Sequence, residues 1–139
     1  MAKYGLDIRV RYADTDQMGV VYYSNYLVWF EVARTELLRA YGADYKSIEN
    51  ERKIYLPVVE TYCRYKAPLS YDDLVHVDVW VSDMGRTRIT FEYELRKGDL
   101  LTTFGNTKHV FIDGNRKPVS IPEDLKKALE DVFIPPSAA

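Results

Sequence analysis

From Asp7 to Tyr12 the chain alternates, with Ile8, Val10 and Tyr12 against Asp7, Arg9 and Arg11. That is the period of a half-buried strand. From Tyr26 the period changes. Leu27, Phe30, Ala33 or Arg34, Leu37, Leu38 and Tyr41 recur at helical spacing. Ser24 or Asn25 suits the cap, Gly42 suits the position past the end, and the helix spans 25–41. The polar stretch Asp44 to Arg52 holds a short helical turn.

Four strands follow: Ile54–Lys66, Leu74–Asp83, Thr87–Arg96 and Leu100–Asp113. Val75, Val77, Val79 and Val81 face one way; His76, Asp78 and Trp80 face the other. Ile89, Phe91, Tyr93 and Leu95 repeat the pattern one strand later. The connections around Gly85 and Gly98 are short, which implies an antiparallel meander. Pro122 to Val132 is a short helix with Leu125, Ala128, Leu129 and Val132 on one face. Residues 135–139 form a frayed tail. The order is that of an α+β domain: a strand, a long helix, then four antiparallel strands. One helix covers only one sheet face, which favours pairing with a second copy.

The chain has 139 residues, 47% of them hydrophobic, enough for one domain with one core. A net charge of −2 gives no global attraction for nucleic acid or an anionic membrane. No apolar run reaches the roughly 18 residues of a membrane span, and the N-terminus lacks a signal-peptide core. The expectation is a cytoplasmic protein. One cysteine, Cys63, excludes an intrachain disulfide framework and reads as a small buried apolar residue. No His/Cys cluster points to a metal, and no cofactor is indicated. Twelve tyrosines suit subunit interfaces and point to an oligomer.

The chemistry concentrates in residues 12–26, YADTDQMGVVYYSNY. Asp14 and Asp16 precede Gly19, a short apolar-aromatic run and a helix start. This layout places a carboxylate beside backbone N–H groups that lack partners. The carboxylate can act as base or nucleophile and the N–H groups can stabilise an oxyanion. A turn carboxylate can equally serve only as a cap. Gly19 permits the turn and lets a substrate approach the backbone. Asn25 caps the helix or touches substrate. His76 and His109 read as strand histidines.

The chain resembles the hotdog-fold acyl-CoA thioesterases, in the branch of the 4-hydroxybenzoyl-CoA and YbgC-type enzymes. The resemblance rests on residues 12–26, FEVARTELL (30–38), YKAPLSYDD (65–73) and GRTRITFEYEL (85–95), and covers about residues 6–132. It implies a long helix wrapped by a five-stranded antiparallel sheet in a single domain. It also implies dimers joined edge to edge, often paired into tetramers, and metal-free hydrolysis of an acyl-CoA thioester. The second acid of the DxDxxG stretch, Asp16, is then the catalytic carboxylate. The polarising N–H falls near Tyr23, where many YbgC-type members carry histidine. Arg86 and Arg88 take the place of CoA-contacting basic groups, and guanidinium suits phosphate. In a sister branch a helix glutamate acts instead; Glu31 or Glu36 would be its counterpart. Other readings are a hotdog hydratase or dehydratase, which needs a histidine near the helix start, and a non-catalytic acyl-CoA or partner-binding module. Metal-dependent phosphoryl transfer would need further carboxylates.

Overall fold

The computed structural model describes residues 2–42 and 45–136. Five strands, β1 (Tyr4–Arg9), β2 (Val58–Tyr65), β3 (Leu74–Met84), β4 (Arg88–Lys97) and β5 (Leu100–Val110), form one antiparallel sheet in the order β1-β3-β4-β5-β2. The meander β3-β4-β5 is as the short connections predict. Its first hairpin closes through the Gly85 N–H on Arg88 O at 2.9 Å. β1 and β2 occupy the two edges.

Helix α1 (Asn25–Ala40) lies across one face. It shares one core with the valine row of β3, whose four members are fully buried, and with Ile89, Phe91, Tyr93 and Leu95 of β4. Phe30 stacks flat on Tyr93 at 4.1 Å between centroids. That close approach requires glycine at 105. A Cβ there would lie 2.1 Å from Tyr62 O and 3.1 Å from Phe30. Helices α2 (Tyr45–Arg52) and α3 (Glu123–Ala128) flank this layer, and α3 buries Leu125. Leu129 and Val132, just past α3, are also buried.

The structure corrects several expectations. The buried stripe of α1 is Tyr26, Trp29, Phe30, Ala33, Leu37 and Leu38, while Leu27 is exposed with Val28 and Val32. The helix is apolar on two sides at its start, so the phase was ambiguous. β1 begins three residues early and stops at Arg9; Tyr12 enters a 3-10 turn and is 78% exposed. β2 starts after Pro57, which has no N–H to donate. β5 ends at Val110, α3 stops at Ala128, and Cys63 is half-buried. Neither Ser24 nor Asn25 caps α1 through its side chain: Ser24 makes no cap bond and Asn25 points at Asp14. The expected start of the second helical segment at Asp44, and tail residues 137–139, lie outside the described residues.

β1 runs out opposite Val79, and the sheet lane beyond it is filled from the other terminus. Phe133 bridges Val81 in parallel, and the Ile134 N–H donates to Val81 O at 2.8 Å.

Candidate active site

Beyond β1, Arg11 and Asp14 lock the chain into its turn. The Asp14 carboxylate is 2% exposed. It accepts the Arg11 backbone N–H at 2.8 Å and the Arg11 guanidinium at 2.9 and 3.3 Å. Burial pushes the Asp14 carboxyl up, but these Arg11 bonds and the Arg11 charge outweigh it and hold the pKa below the ordinary value. Its carbonyl is equally engaged: it accepts the Tyr22 N–H at 2.9 Å and the Asn25 side-chain amide at 2.8 Å. Asp14 thus joins the acidic loop to the start of α1.

Asp16 sits in a small hairpin. Its N–H donates to Val20 O at 3.0 Å, and the Gly19 N–H returns to Asp16 O at 2.9 Å. Thr15 bridges Val21 just outside. Gly19 has φ +81°, the left-handed conformation that closes such three-residue loops. The Asp16 side chain is half-buried. Its Oδ1 accepts the Met18 N–H at 2.8 Å; Oδ2 has no hydrogen bond among the described residues. The Val21 N–H docks the hairpin on Leu69 O at 2.8 Å.

The helix start lies beside it. The Asn25 N–H closes a turn on Tyr22 O at 2.9 Å, so the backbone is already helical at Ser24. The N–H groups of Tyr23 and Ser24 find no acceptor among the described residues. Free donors of this kind carry the positive end of the helix dipole.

A cleft of about 460 Å³ opens between these parts, lined by Asp16, Met18, Val20, Val21, Tyr22, Tyr23, Tyr26, Tyr65, Lys66, Ala67 and Pro68. Asp16 and Tyr23 therefore line one cleft. Gly19 shapes the loop, and Asn25 acts through Asp14. Arg86 and Arg88 are not in the cleft. They follow the far end of β3, whose other end adjoins the acidic loop, an extended run on the order of 30 Å. Arg86 donates to Ser120 Oγ at 3.3 Å and Arg88 to Asp83 at 2.9 Å. Tyr65 and Lys66 also line the cleft, on the wall opposite the acidic loop. Both fall in the YKAPLSYDD stretch, some fifty residues after the acidic loop, and only the pairing of β2 brings them to it.

Neither histidine lines the cleft. His76 is on the outer sheet face between Asp7 (2.8 Å) and Asp78 (3.1 Å). His109 is buried, with Nδ1 on Leu56 O at 3.0 Å and Nε2 on Thr107 at 2.8 Å. Of the helix glutamates, Glu36 pairs with Arg39, and Glu31 lines a separate recess with Arg34 and Tyr45. Among the described residues no cluster of three or more His, Cys, Asp or Glu side chains could hold a metal. Among the described residues no helix is long and apolar enough to cross a membrane.

Residues 10–129 match the family model described as the thioesterase-like superfamily. The chain belongs to this superfamily. It is 34% identical to the acyl-CoA thioesterase YbgC of Haemophilus influenzae, over 90% of this chain and 93% of the relative. A solved structure of a DHNA-CoA thioesterase from Staphylococcus aureus superposes with TM-score 0.88 at 34% identity, covering 95% of this chain and 91% of the other. Slr0204, a 1,4-dihydroxy-2-naphthoyl-CoA thioesterase from Synechocystis, gives TM-score 0.87 at 25% identity, covering 94% and 98%. The fold is the hotdog fold, as the resemblance implied.

Proposed function

We propose that the chain hydrolyses an acyl-CoA thioester to the free acid and CoA. The observation that carries this reading is one juxtaposition. Asp16, a half-buried carboxylate whose Oδ2 has no partner among the described residues, faces the same cleft as Tyr23 at the helix start, where the Tyr23 and Ser24 N–H groups have no acceptor among the described residues. The thioester carbonyl oxygen would accept from these N–H groups, which stabilise the negative charge as the carbonyl carbon becomes tetrahedral. Asp16 either attacks that carbon directly or takes a proton from the attacking water. The C–S bond then breaks and CoA leaves as a thiolate, so no strong general acid is required. In the direct route water afterwards cleaves the acyl–Asp16 anhydride. Label found in the Asp16 carboxylate after single turnover in heavy-oxygen water would establish the direct route, with water attacking the Asp16 carbonyl of the anhydride. The test of the activity itself is a panel of acyl-CoA thioesters with thiol release as readout. Hydrolysis of none of them would refute the proposal.

The working unit in this reading is a cytoplasmic homodimer or homotetramer. Among the described residues β2 pairs only with β5, which leaves its other edge unpaired, and the strand exposes Val58, Val59, Tyr62 and Tyr65. The exposed side of α1 adds Leu27, Val28 and Val32. An unpaired, apolar strand edge is a template for a second copy. Arg86 and Arg88 would then meet the phosphates of a CoA bound across two subunits, with Lys66 as the cation inside the cleft.

A further inference from the structure

The hydroxyl of Tyr65 donates to the carbonyl oxygen of Tyr23 at 3.2 Å. In a regular α-helix that oxygen accepts the N–H four residues on, which is that of Leu27. Here Leu27 donates to Ser24 O instead, at 3.2 Å. The tightened first turn releases the Tyr23 oxygen, and Tyr65 takes it. The same peptide unit carries the Ser24 N–H, one of the two helix-start donors without an acceptor among the described residues. A peptide is planar, with its C=O and N–H directed oppositely. Whatever holds the oxygen therefore aims the N–H. A bond received at the oxygen also polarises the unit and strengthens its N–H as a donor.

Tyr65 is itself well placed to hold something still. It belongs to β2, opposite Thr103 of β5, on the wall of the cleft facing the helix start. Its ring meets Tyr26 edge-on at 5.0 Å, and buried Tyr26 meets Trp29 edge-on at 5.3 Å. Burial and the neighbouring Cys63 thiol raise its hydroxyl well above the ordinary tyrosine value, so it stays a donor at any working pH.

We infer that Tyr65 is a positioning residue for thioester hydrolysis, orienting the Tyr23–Ser24 peptide so that its N–H points at the developing oxyanion. This rests on the proposal that the helix-start N–H groups polarise the thioester. Tyr65→Phe keeps the ring and removes the bond. The expected result is a kcat/KM reduced about fivefold to tenfold, the weight of one ordinary hydrogen bond, with the melting temperature nearly unchanged. Two unreactive CoA analogues give a second readout. A ketone, with CH₂ in place of sulfur, keeps the carbonyl; a thioether lacks it. Tyr65→Phe should weaken binding of the ketone several-fold and leave the thioether alone. Unchanged kcat/KM and unchanged ketone binding would overturn the inference. So would equal weakening of both analogues, which would mean a collapsed cleft. Asp16→Asn is assayed alongside. If it keeps full turnover, the catalytic proposal itself fails; if it is inactive while Tyr65→Phe is normal, only the role of Tyr65 falls.

Discussion

The side-chain amide of Asn25 donates to the carbonyl oxygen of Asp14 at 2.8 Å, and the same oxygen accepts the Tyr22 N–H at 2.9 Å. One oxygen thus joins the acidic loop to the helix start. The distance between the Asp16 carboxylate and the free N–H groups depends on that junction.

Asn25→Ala removes one of the two bonds and leaves the other. Stability should fall by about 1 kcal/mol. Turnover should fall further than that predicts for binding, about tenfold, with KM nearly constant, because reacting groups tolerate little misplacement. Steady-state kinetics checks this. A raised KM with unchanged kcat would instead make Asn25 a direct substrate contact.

His109 makes stability depend on pH. Burial pushes its pKa down to about 4, outweighing its bond to Leu56 O. The unfolded imidazole titrates near 6.5. Between these values the unfolded chain binds a proton that the folded chain refuses. The stabilisation is complete above the unfolded value and is lost as pH falls toward 4, by at most about 1.4 kcal/mol per pH unit. His76 has the opposite sense. Its pKa is raised by Asp7 and then by Asp78, so its contribution is full below the unfolded value and fades as pH rises through the folded one. Urea unfolding at several pH values should show a shallower slope for His109→Gln than for wild type between pH 4 and 6.5. Identical slopes would contradict the buried neutral histidine.

The strand framework was legible in the sequence because burial imposes a period of two. Val75, Val77, Val79 and Val81 announce their face, and all four are fully buried. The first part of α1 was less legible. Tyr26, Leu27, Val28, Trp29 and Phe30 are apolar in succession, so no periodicity separates the core face from the face left exposed. The acidic loop could be read locally, since its glycine, its carboxylates and the helix start are contiguous. The opposite wall could not. Tyr65 and Lys66 reach the cleft only through long-range strand pairing, and nothing local marks them.

Arg86 and Arg88 make single exposed contacts, to Ser120 and Asp83, which cost little to break. If a second subunit brings them to CoA, Arg86→Ala/Arg88→Ala should raise KM several-fold on a CoA ester with kcat constant. The same pair should leave a short thioester without the nucleotide unaffected. Light scattering on the same preparation should give a dimer or tetramer. An unchanged KM would make them a solvated hairpin and leave Lys66 as the phosphate contact.

Asp16→Asn is the most direct test of the catalytic account. It is isosteric, and its side-chain oxygen can still accept the Met18 N–H that now holds Oδ1 at 2.8 Å, so the hairpin should persist. Thiol release from an acyl-CoA that wild type hydrolyses should fall by two or more orders of magnitude, about 3 kcal/mol or more in the barrier, while substrate binding survives. Turnover near the wild-type rate would contradict the assignment of Asp16.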